Sequence, residues 1–489
     1  MSRRNVSDRV PVSKISGQPI PVIATLLLAS FLLLPSMASI GMFMDGIIYA
    51  AISRNLANGE GALWTLHFSQ GLFPVFREHP PLVFWLQSSF FRVLGDSYLT
   101  ERTYDLAALL ATALLMRLLW RKLTIGGGHA GLAGYWWLPL LLWVVVPKWS
   151  WAYRNNVLES TMTLFCLLSV LLVLAGLQAK NMKTSAVLAG GAAVAALLAF
   201  LAKGPVALFA LATPVLLLPA LRHIDWRRVA LVLLALLGVF ALGAGLLLAW
   251  PAAREMLLVY WQKQVVGRAG LSGAGIDMLF ELAKKLAPML VALAALRLWV
   301  WMDGAADGWK AARGPAAAML ATGLAASLPL VLGDLDSAHY LVPALPFYAL
   351  GLGLIGAAML EKGGSRVRRA VRARPGRLFK LVAGGAAVAI LAMTMSRLGD
   401  VRRNVDYHAF LAQVAETAGE RSSLGIDATL YDDWYLHAIA QRHYRISLVS
   451  GLSNAEWRLA PAGQAHRPGY RTTDVAVGQW ILLRRQTAP

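Results

Sequence analysis

Two groups of polar side chains interrupt a strongly apolar stretch near the start of this chain. Asp45 comes directly after an apolar run, and Arg77, Glu78 and His79 stand immediately before two prolines. An acid at the edge of an apolar segment is partly desolvated, and this environment suits a general base. Asp45 could instead cap an amphipathic helix that ends near Asn58. The residue types alone leave both interpretations open.

The second polar group opens another helical pattern, which begins at the proline pair. Prolines are well accommodated in a first helical turn, and the N–H groups of a helix start attract anions. Arg77 and His79 could therefore bind a phosphate. Alternatively, this helix could simply anchor in the membrane interface through its aromatic side chains, which are Phe84, Trp85, Phe90 and Phe91. We predict that segment 44–101 is an external loop with interfacial helices that carries the active site.

Two ionisable side chains lie in apolar runs further along the chain. Glu159 stands in the run 157–179, and Lys203 interrupts the run 196–209. An ionisable group inside a membrane is costly, so by default it marks a functional site that faces a cavity. Lys203 is near the end of its helix and could instead extend its ammonium group to the lipid headgroups. Both interpretations stay open for Lys203, whereas the pattern favours function for Glu159.

Two later segments also carry polar residues. Residues 260–264, followed by Arg268, could contact a charged headgroup from an external loop. The segment from Asp334 to Tyr340 precedes another apolar run, and its acids could cap the helix that follows.

The composition identifies the class of protein. Of the 489 residues, 57% are hydrophobic and only 15% are charged, and the mean hydropathy is +0.57. These values indicate a helical membrane protein with several spans. The net charge of +20 fits basic loops that face anionic lipid, and no basic segment is interleaved with the aromatic residues that nucleic-acid binding requires. The single cysteine, Cys166, lies in an apolar run and gives no disulfide framework.

Apolar runs of spanning length predict about eleven transmembrane helices. The first follows a basic N-terminal segment, residues 1–19, and we interpret it as an uncleaved span because its about 24 apolar residues exceed a signal peptide's usual apolar region. The runs are 20–43, 103–119, 131–147, 157–179, 185–201, 204–221, 229–250, 286–302, 315–333, 338–360 and 378–396.

Basic residues predict the orientation of these spans. They concentrate in alternate loops, near residues 117–122, 180–183, 222–228, 310–313 and 362–377. The positive-inside rule places these loops and the N-terminus in the cytoplasm, and it places 44–101 and the C-terminal tail outside. The transmembrane domain is therefore predicted over 20–397. The tail, 398–489, is less hydrophobic and has short alternating runs near 444–449 and 474–483, which predict a small soluble α/β domain.

In this order, the polar residues resemble a known family. An acid ends the first span, the loop contains EHPPLVFWL, an acid lies in the fourth span, and AFLAKGP and HYLVP follow. This combination is similar to bacterial aminoarabinose transferases and their protein O-mannosyltransferase-like relatives. These are GT-C glycosyltransferases that use polyprenyl-phosphate sugars. The resemblance covers about residues 20–350 and implies an all-α GT-C fold with about 11–13 spans.

The resemblance also implies roles for individual residues. Asp45 and Glu159 would belong to the catalytic centre, and Lys203 with His339 and Tyr340 would contact the donor phosphate. The full set of predicted substrate-binding residues is Tyr49, Arg77, Glu78, His79, Lys203, Gln262, His339 and Tyr340.

This chain departs from the family pattern at three positions. Gly46 stands where the family often has a second acid, His79 where it usually has lysine, and Glu159 where aspartate is common. Because histidine is a cation only when protonated, Arg77 or Lys203 could carry more of the phosphate contact here.

The predicted activity is an inverting transfer of a sugar from a polyprenyl-phosphate-linked donor to an envelope lipid, glycan or protein. It would occur at the outer face of a bacterial inner membrane, with Asp45 orienting or deprotonating the acceptor. A polyprenyl-sugar or lipid transporter is the alternative, although the chain lacks the two related halves common in transporters. The sequence leaves a divalent metal open, because adjacent Glu78 and His79 cannot complete a tetrahedral site alone.

Overall fold

Helices dominate the computed structural model, which describes residues 18–267, 274–304, 309–332, 337–452, 455–464 and 466–486. The predicted N-terminal segment to residue 17, Arg268, Asp334 and Asp336 lie outside these ranges. In chain order the α-helices are α1 Pro19–Met37, α2 Met44–Ala57, α3 Leu82–Leu94, α4 Tyr98–Arg121, α5 Trp137–Val144, α6 Pro147–Tyr153, α7 Leu158–Leu177, α8 Met182–Lys203, α9 Thr213–Leu216, α10 Trp226–Ala249, α11 Pro251–Tyr260, α12 Ala274–Met302, α13 Arg313–Ser327, α14 Leu345–Lys362, α15 Ser365–Val371, α16 Arg377–Met395, α17 Val405–Ala418 and α18 Trp434–Tyr444.

Seven helical segments among the described residues are long and apolar enough to cross a membrane, and they coincide with seven of the eleven predicted runs. They are Pro19–Met37, Leu158–Leu177, Met182–Lys203, Trp226–Ala249, Arg313–Val331, Ala338–Lys362 and Arg377–Met395. The multi-span membrane class is thereby confirmed.

The other four predicted runs lie in helices that are broken or carry charges. Run 103–119 lies in α4, whose first turns contain Glu101, Arg102 and Asp105. Run 131–147 divides into a 3-10 helix and α5, and run 204–221 divides at prolines into 3-10 segments around α9. Proline lacks the N–H group that would continue an α-helix, which explains the second division. Run 286–302 is the second half of α12.

The external segment predicted over 44–101 folds into α2, α3 and a short hairpin of β1 Gly61–Ala62 and β2 Thr65–Leu66. α2 has Asn58 as its C-cap, as the sequence predicts, and its residues from Gly46 to Leu56 are buried. α3 begins directly after the proline pair. Its aromatic residues Phe84 and Phe91 are buried in the protein, and Trp85 and Phe90 are half-buried; their place at the membrane interface stays a prediction.

The C-terminal tail forms the small α/β domain that the sequence predicts. Its strands are β3 Ser423–Ile426, β4 Ser447–Ser450, β5 Trp457–Pro461, β6 Tyr470–Val477 and β7 Trp480–Arg485. The sheet order is β4-β3-β5-β7-β6. β3 pairs in parallel with both β4 and β5, and β7 pairs antiparallel with β5 and β6.

A buried group of charges joins this domain to the external segment. We call Arg442, Arg54, Asp96 and Glu101 the junction cluster. Arg442, only 3% exposed, pairs with both carboxylates at 2.8 Å, and its Nη2 also donates to the Ser97 carbonyl at 2.9 Å. Arg54 of α2 donates to the Arg442 carbonyl at 2.9 Å. The cluster therefore fixes α18 against α2 and the start of α4.

Candidate active site

A cavity of about 350 Å³ lies where the external segment, the spanning helices and the C-terminal domain meet. Seven of the ten predicted site residues line it. Its walls are formed by Phe43, Met44, Asp45, Ile48, Tyr49, Phe73, Phe76, Glu78, His79, Lys203, Gln264, Ser337, His339, Tyr340 and Trp434.

The first turn of α2 places Asp45 in the cavity wall. Phe43, not Asp45, is the N-cap of this helix, and its N–H donates to the Asn155 side chain at 2.6 Å. The alternative interpretation of Asp45 as the helix cap is therefore wrong. Tyr49 follows one turn later, so both side chains lie on the same face of α2.

Close packing determines the residue after Asp45. A Cβ atom on Gly46 would overlap the Asn155 carbonyl, and the Gly46 carbonyl accepts a hydrogen bond from the Asn156 side chain at 3.0 Å. Asn156 in turn donates its N–H to Asp105 at 3.1 Å. The start of α2 is thus held directly against the turn before α7, and only glycine fits at position 46.

A second buried group of ionisable residues adjoins the cavity. We call Glu159, Lys203 and His339 the cavity cluster; the last two line the cavity, and Glu159 lies behind them. Glu159 stands in the first turn of α7 and Lys203 is the last residue of α8. The Lys203 ammonium lies 3.1 Å from Glu159 Oε1, and His339 Nε2 lies 3.7 Å from the same atom. Lys203 is only 6% exposed, so the interpretation that it extends to the lipid headgroups is wrong. Glu159 supports the two residues that line the cavity.

A tight helix end places Lys203 there. Gly204 has a φ of +99°, and a Cβ atom at this position would overlap the Tyr260 hydroxyl. That hydroxyl donates to the Lys203 carbonyl at 2.9 Å. The Lys203 ammonium lies 5.2 Å from the centre of the Tyr340 ring. α8, α11 and the segment before α14 therefore meet at this lysine.

Glu78 and the segment after α11 close another side of the cavity. Glu78 accepts from Lys263 at 2.7 Å and from the Gln264 side chain at 2.8 Å. Gln264 lines the cavity, whereas the predicted Gln262 does not. Arg77, which like Glu159 is absent from the lining, pairs with Glu255 at 2.6 Å.

Sequence reasoning missed the aromatic side of the cavity, formed by Phe73, Phe76 and Trp434, which we call the aromatic wall. The Phe73 ring centre lies 5.6 Å from each of the other two ring centres. Phe73 has a φ of +52°, a conformation that non-glycine residues rarely adopt. Trp434 belongs to α18, so the C-terminal domain contributes directly to the site.

The C-terminal sheet holds the loop that carries Phe73. The N–H of Gln70 donates to the Ser447 hydroxyl at 3.2 Å, and the Ser423 hydroxyl donates to the Gln70 side chain at 2.7 Å. A Cβ atom on Gly71 would overlap the carbonyl of Leu448. These contacts, which no local sequence pattern reveals, fix the position of the aromatic wall.

Two of the described carboxylates line the cavity, and Glu78 already accepts hydrogen bonds from Lys263 and Gln264. Asp45 is therefore the carboxylate that faces the basic and phenolic side chains. Lys203 and the imidazoles of His79 and His339 can hold an anionic group, and Asp45 can accept a proton. Among the residues that the structure describes, no three His, Cys, Asp or Glu side chains are grouped closely enough to hold a metal ion.

Solved structures show the same fold. ArnT from Cupriavidus metallidurans, an aminoarabinose transferase, matches with a TM-score of 0.61 and 17% identity over 94% of this chain and 96% of that chain. Its structure bound to undecaprenyl phosphate gives a TM-score of 0.63, with 17% identity, over 94% and 97% of the two chains. The Archaeoglobus fulgidus oligosaccharyltransferase, in complex with Zn and sulfate, matches with a TM-score of 0.50 and 13% identity over 90% of this chain and 68% of that chain.

By sequence, no family model and no curated protein matches the chain. The structural agreement, at 94% coverage of this chain, confirms the predicted fold class. This chain has the GT-C fold that these membrane glycosyltransferases share.

Proposed function

We propose that this protein is a membrane glycosyltransferase that moves a sugar from a polyprenyl-phosphate-linked donor to an acceptor. The observation that carries the proposal is the cavity in which Asp45 shares a wall with Lys203 and His339, both supported by buried Glu159. The ArnT structure with undecaprenyl phosphate has the same fold, which supports the choice of lipid-linked donor.

Lys203 is the residue best placed to hold the donor phosphate. Its ammonium is removed from bulk water and oriented by Glu159, so little reorganisation is needed when negative charge grows on the leaving group. His339 and Tyr340 border the same place. In the reaction, the bond between the sugar's anomeric carbon and the phosphate oxygen breaks, and polyprenyl phosphate leaves with the electron pair.

Asp45 would act on the acceptor. It would accept the proton of an acceptor hydroxyl, whose oxygen then bonds to the anomeric carbon on the face opposite the phosphate, and the configuration of the sugar inverts. If the acceptor is already a phosphate, no proton needs to be removed and Asp45 orients it. The loop over 67–76 and the C-terminal domain line one side of the cavity through Phe73, Phe76 and Trp434, and closure of these apolar side chains over the substrates would limit hydrolysis of the donor by water.

The orientation follows from the basic residues. The Gln178 side chain donates to the Lys122 carbonyl and Arg228 donates to the Ala179 carbonyl, so three basic loops meet at the end of α7 opposite Glu159 and the cavity. On the positive-inside rule, we propose that the cavity and the domain over 398–489 lie on the periplasmic side of a bacterial inner membrane. Acceptors on that side are envelope lipids, glycans or proteins.

The test is transfer by the full-length protein in proteoliposomes that contain a radiolabelled undecaprenyl-phosphate sugar and an envelope extract as acceptor. Asp45→Asn should reduce transfer by about a hundredfold or more without loss of folded protein. The matched control is Asp400→Asn, since Asp400 is half-exposed and pairs with Arg402; this variant should transfer normally. Normal transfer by Asp45→Asn would remove Asp45 from the mechanism. Label that crosses the bilayer without a new product would indicate a flippase instead.

A further inference from the structure

A second candidate site lies around the end of α4, away from the cavity. α4 continues beyond Arg121 into a π-helical turn, Lys122–Gly126. Such turns are rare and occur frequently at functional sites, because they change which side chains share a helix face. Here the turn separates two grooves on the surface of the protein.

The two grooves share one wall. One groove, of about 420 Å³, lies between α4 and residues 133–136. The other, of about 570 Å³, lies between α4 and the last turns of α7. Leu118, Arg121 and Ile125 line both grooves, and most of the remaining lining is apolar. Arg121 therefore stands between two apolar channels.

Three cations surround this shared wall, namely Arg117, Arg121 and Lys122. Within the described ranges, none of the three pairs with a carboxylate, whereas Arg228 and Arg372 of nearby loops do. The guanidinium of Arg117 lies over the Trp136 ring, 4.5 Å from its centre. The grooves thus combine unneutralised positive charge with apolar walls and an aromatic side chain of the kind found at membrane interfaces.

The position of the grooves matches one surface of a membrane. α7 has 20 residues and is therefore about 30 Å long, which is about the thickness of the bilayer's hydrocarbon core. Glu159 lies at its first turn beside the cavity, and Ala175 and Gln178 of the second groove lie at its other end. The three cations consequently lie at the level of lipid headgroups, one membrane thickness from the cavity, and cannot contact a donor phosphate there.

We propose that these grooves bind one anionic phospholipid of the membrane. Its phosphodiester contacts Arg121, with Arg117 and Lys122 beside it, and its acyl chains occupy the grooves on the two sides. Apolar walls select a molecule with acyl chains, and the uncompensated positive charge selects an anionic headgroup over a zwitterionic one. The site requires a membrane but does not depend on glycosyl transfer.

The test is native mass spectrometry of the full-length protein, titrated with phosphatidylglycerol or phosphatidylcholine. The variant Arg117→Gln/Arg121→Gln/Lys122→Gln should bind phosphatidylglycerol at least about tenfold more weakly, with unchanged binding of phosphatidylcholine. The control, Arg366→Gln/Arg369→Gln/Arg374→Gln, removes the same charge from exposed residues that line neither groove, and it should bind like the wild type. If the first variant aggregates, phosphatidylglycerol binding is measured with the single variant Arg121→Gln, because Arg121 lines both grooves. This variant should also bind phosphatidylglycerol more weakly than the wild type does.

A second arm tests the grooves without changing charge. Ala133→Trp/Ala175→Trp fills both channels and should also weaken phosphatidylglycerol binding, and glycerophosphoglycerol, which lacks acyl chains, should not compete. Equal phosphatidylglycerol affinity in the wild type and the charge variant would overturn the proposal. So would an equal loss in the control variant, or competition by inorganic phosphate as strong as that by phosphatidylglycerol.

Discussion

The junction cluster and the cavity cluster are both buried ion groups, yet they differ in what surrounds the cation. In the junction cluster, Arg442 is only 3% exposed, and its Nε, Nη1 and Nη2 atoms all donate to protein oxygens of Glu101, Asp96 and Ser97. In the cavity cluster, Lys203 contacts Glu159 but its side chain also borders a cavity.

This difference separates a structural cluster from one able to bind. Removing charges from water is costly in both places, and protein contacts must offset that cost. Where every donor already has a protein acceptor, a ligand gains nothing, so the junction cluster holds two parts of the chain together. Where the cation borders a cavity, an incoming anion can share it. Burial of charge alone therefore does not make a binding site; a buried cation also needs open space beside it.

The largest expected effect comes from breaking the junction cluster. Arg442→Met leaves the buried Glu101 without its cation, and we expect the free energy of unfolding to fall by about 3–5 kcal/mol. Arg445→Met is the control, because Arg445 is 21% exposed and its ion pair is with Asp96, itself 29% exposed; it should cost at most about 1 kcal/mol. Thermal unfolding of the purified protein measures both. An equal loss of unfolding free energy in both variants would show that the contacts of Arg442 with Glu101 and Ser97 do not stabilise the protein.

Acid should weaken the same region. His408 and His443 are in contact, with ring centres 4.8 Å apart; burial lowers the pKa of His408 to about 4, and burial with nearby Arg442 lowers the pKa of His443. As the pH falls from about 6.5 to about 4, the unfolded chain binds protons that the folded chain does not, so stability decreases.

From His408 alone, the free energy of unfolding should decrease by about 3 kcal/mol over this pH range, since one pKa unit corresponds to about 1.4 kcal/mol. Above pH 6.5 this contribution should be constant. Unfolding measured at several pH values checks the slope, which His408→Phe should reduce. His466→Asn serves as the control, because His466 is exposed and its loss should leave the slope unchanged.

In the cavity cluster, Lys203→Ala should affect activity more than stability. Loss of a charged contact to the donor phosphate is expected to raise the apparent donor KM by roughly thirtyfold, about 2 kcal/mol. Water in the cavity can partly solvate Glu159, so destabilisation should be smaller than for Arg442→Met. Lys284→Ala is the matched control and should leave the donor KM unchanged, because this lysine is 68% exposed, pairs with Glu281 and does not line the cavity. An unchanged donor KM for Lys203→Ala would contradict the assignment.

The smallest effect should come from the aromatic wall. Trp434→Ala removes a ring that is 37% exposed beside the cavity, and we expect the acceptor KM to rise about fivefold, near 1 kcal/mol. The donor KM should stay constant, and Trp434→Phe should restore most of the acceptor affinity. Steady-state transfer with each substrate varied separately measures these values. If the donor KM changed and the acceptor KM did not, the aromatic wall would contact the donor and not the acceptor.

The sequence predicted the parts of the fold that depend on local composition. A long apolar run must form a helix in lipid, so seven spans coincide with their predicted runs. Glu159 and Lys203 stood out because their charge is costly in such a run, Asp45 because it ends one, and His339 through the family resemblance. Asp45, Lys203 and His339 line one cavity, and Glu159 contacts the last two.

What the sequence did not reveal depends on register and on distant contacts. Residues 261–266 form a π-helical turn, whose wider spacing changes which glutamine faces the cavity, so Gln264 lies there and Gln262 does not. Phe73 and Trp434 come from opposite ends of the chain and meet only because the C-terminal sheet holds the loop over 67–76. Arg77 shows the converse, since a distant carboxylate, Glu255, pairs with it away from the cavity.

The contact at Gly46 also limits how this site could change. Because the Asn155 carbonyl occupies the space where a side chain would begin, no single substitution can place an acid directly after Asp45, at position 46. The turn at 155–156 would first have to move, and with it the hydrogen bonds that hold the start of α7 carrying Glu159. Backbone packing therefore excludes an acid at position 46, and a pair of acids at 45 and 46 would require coordinated changes in two separate segments.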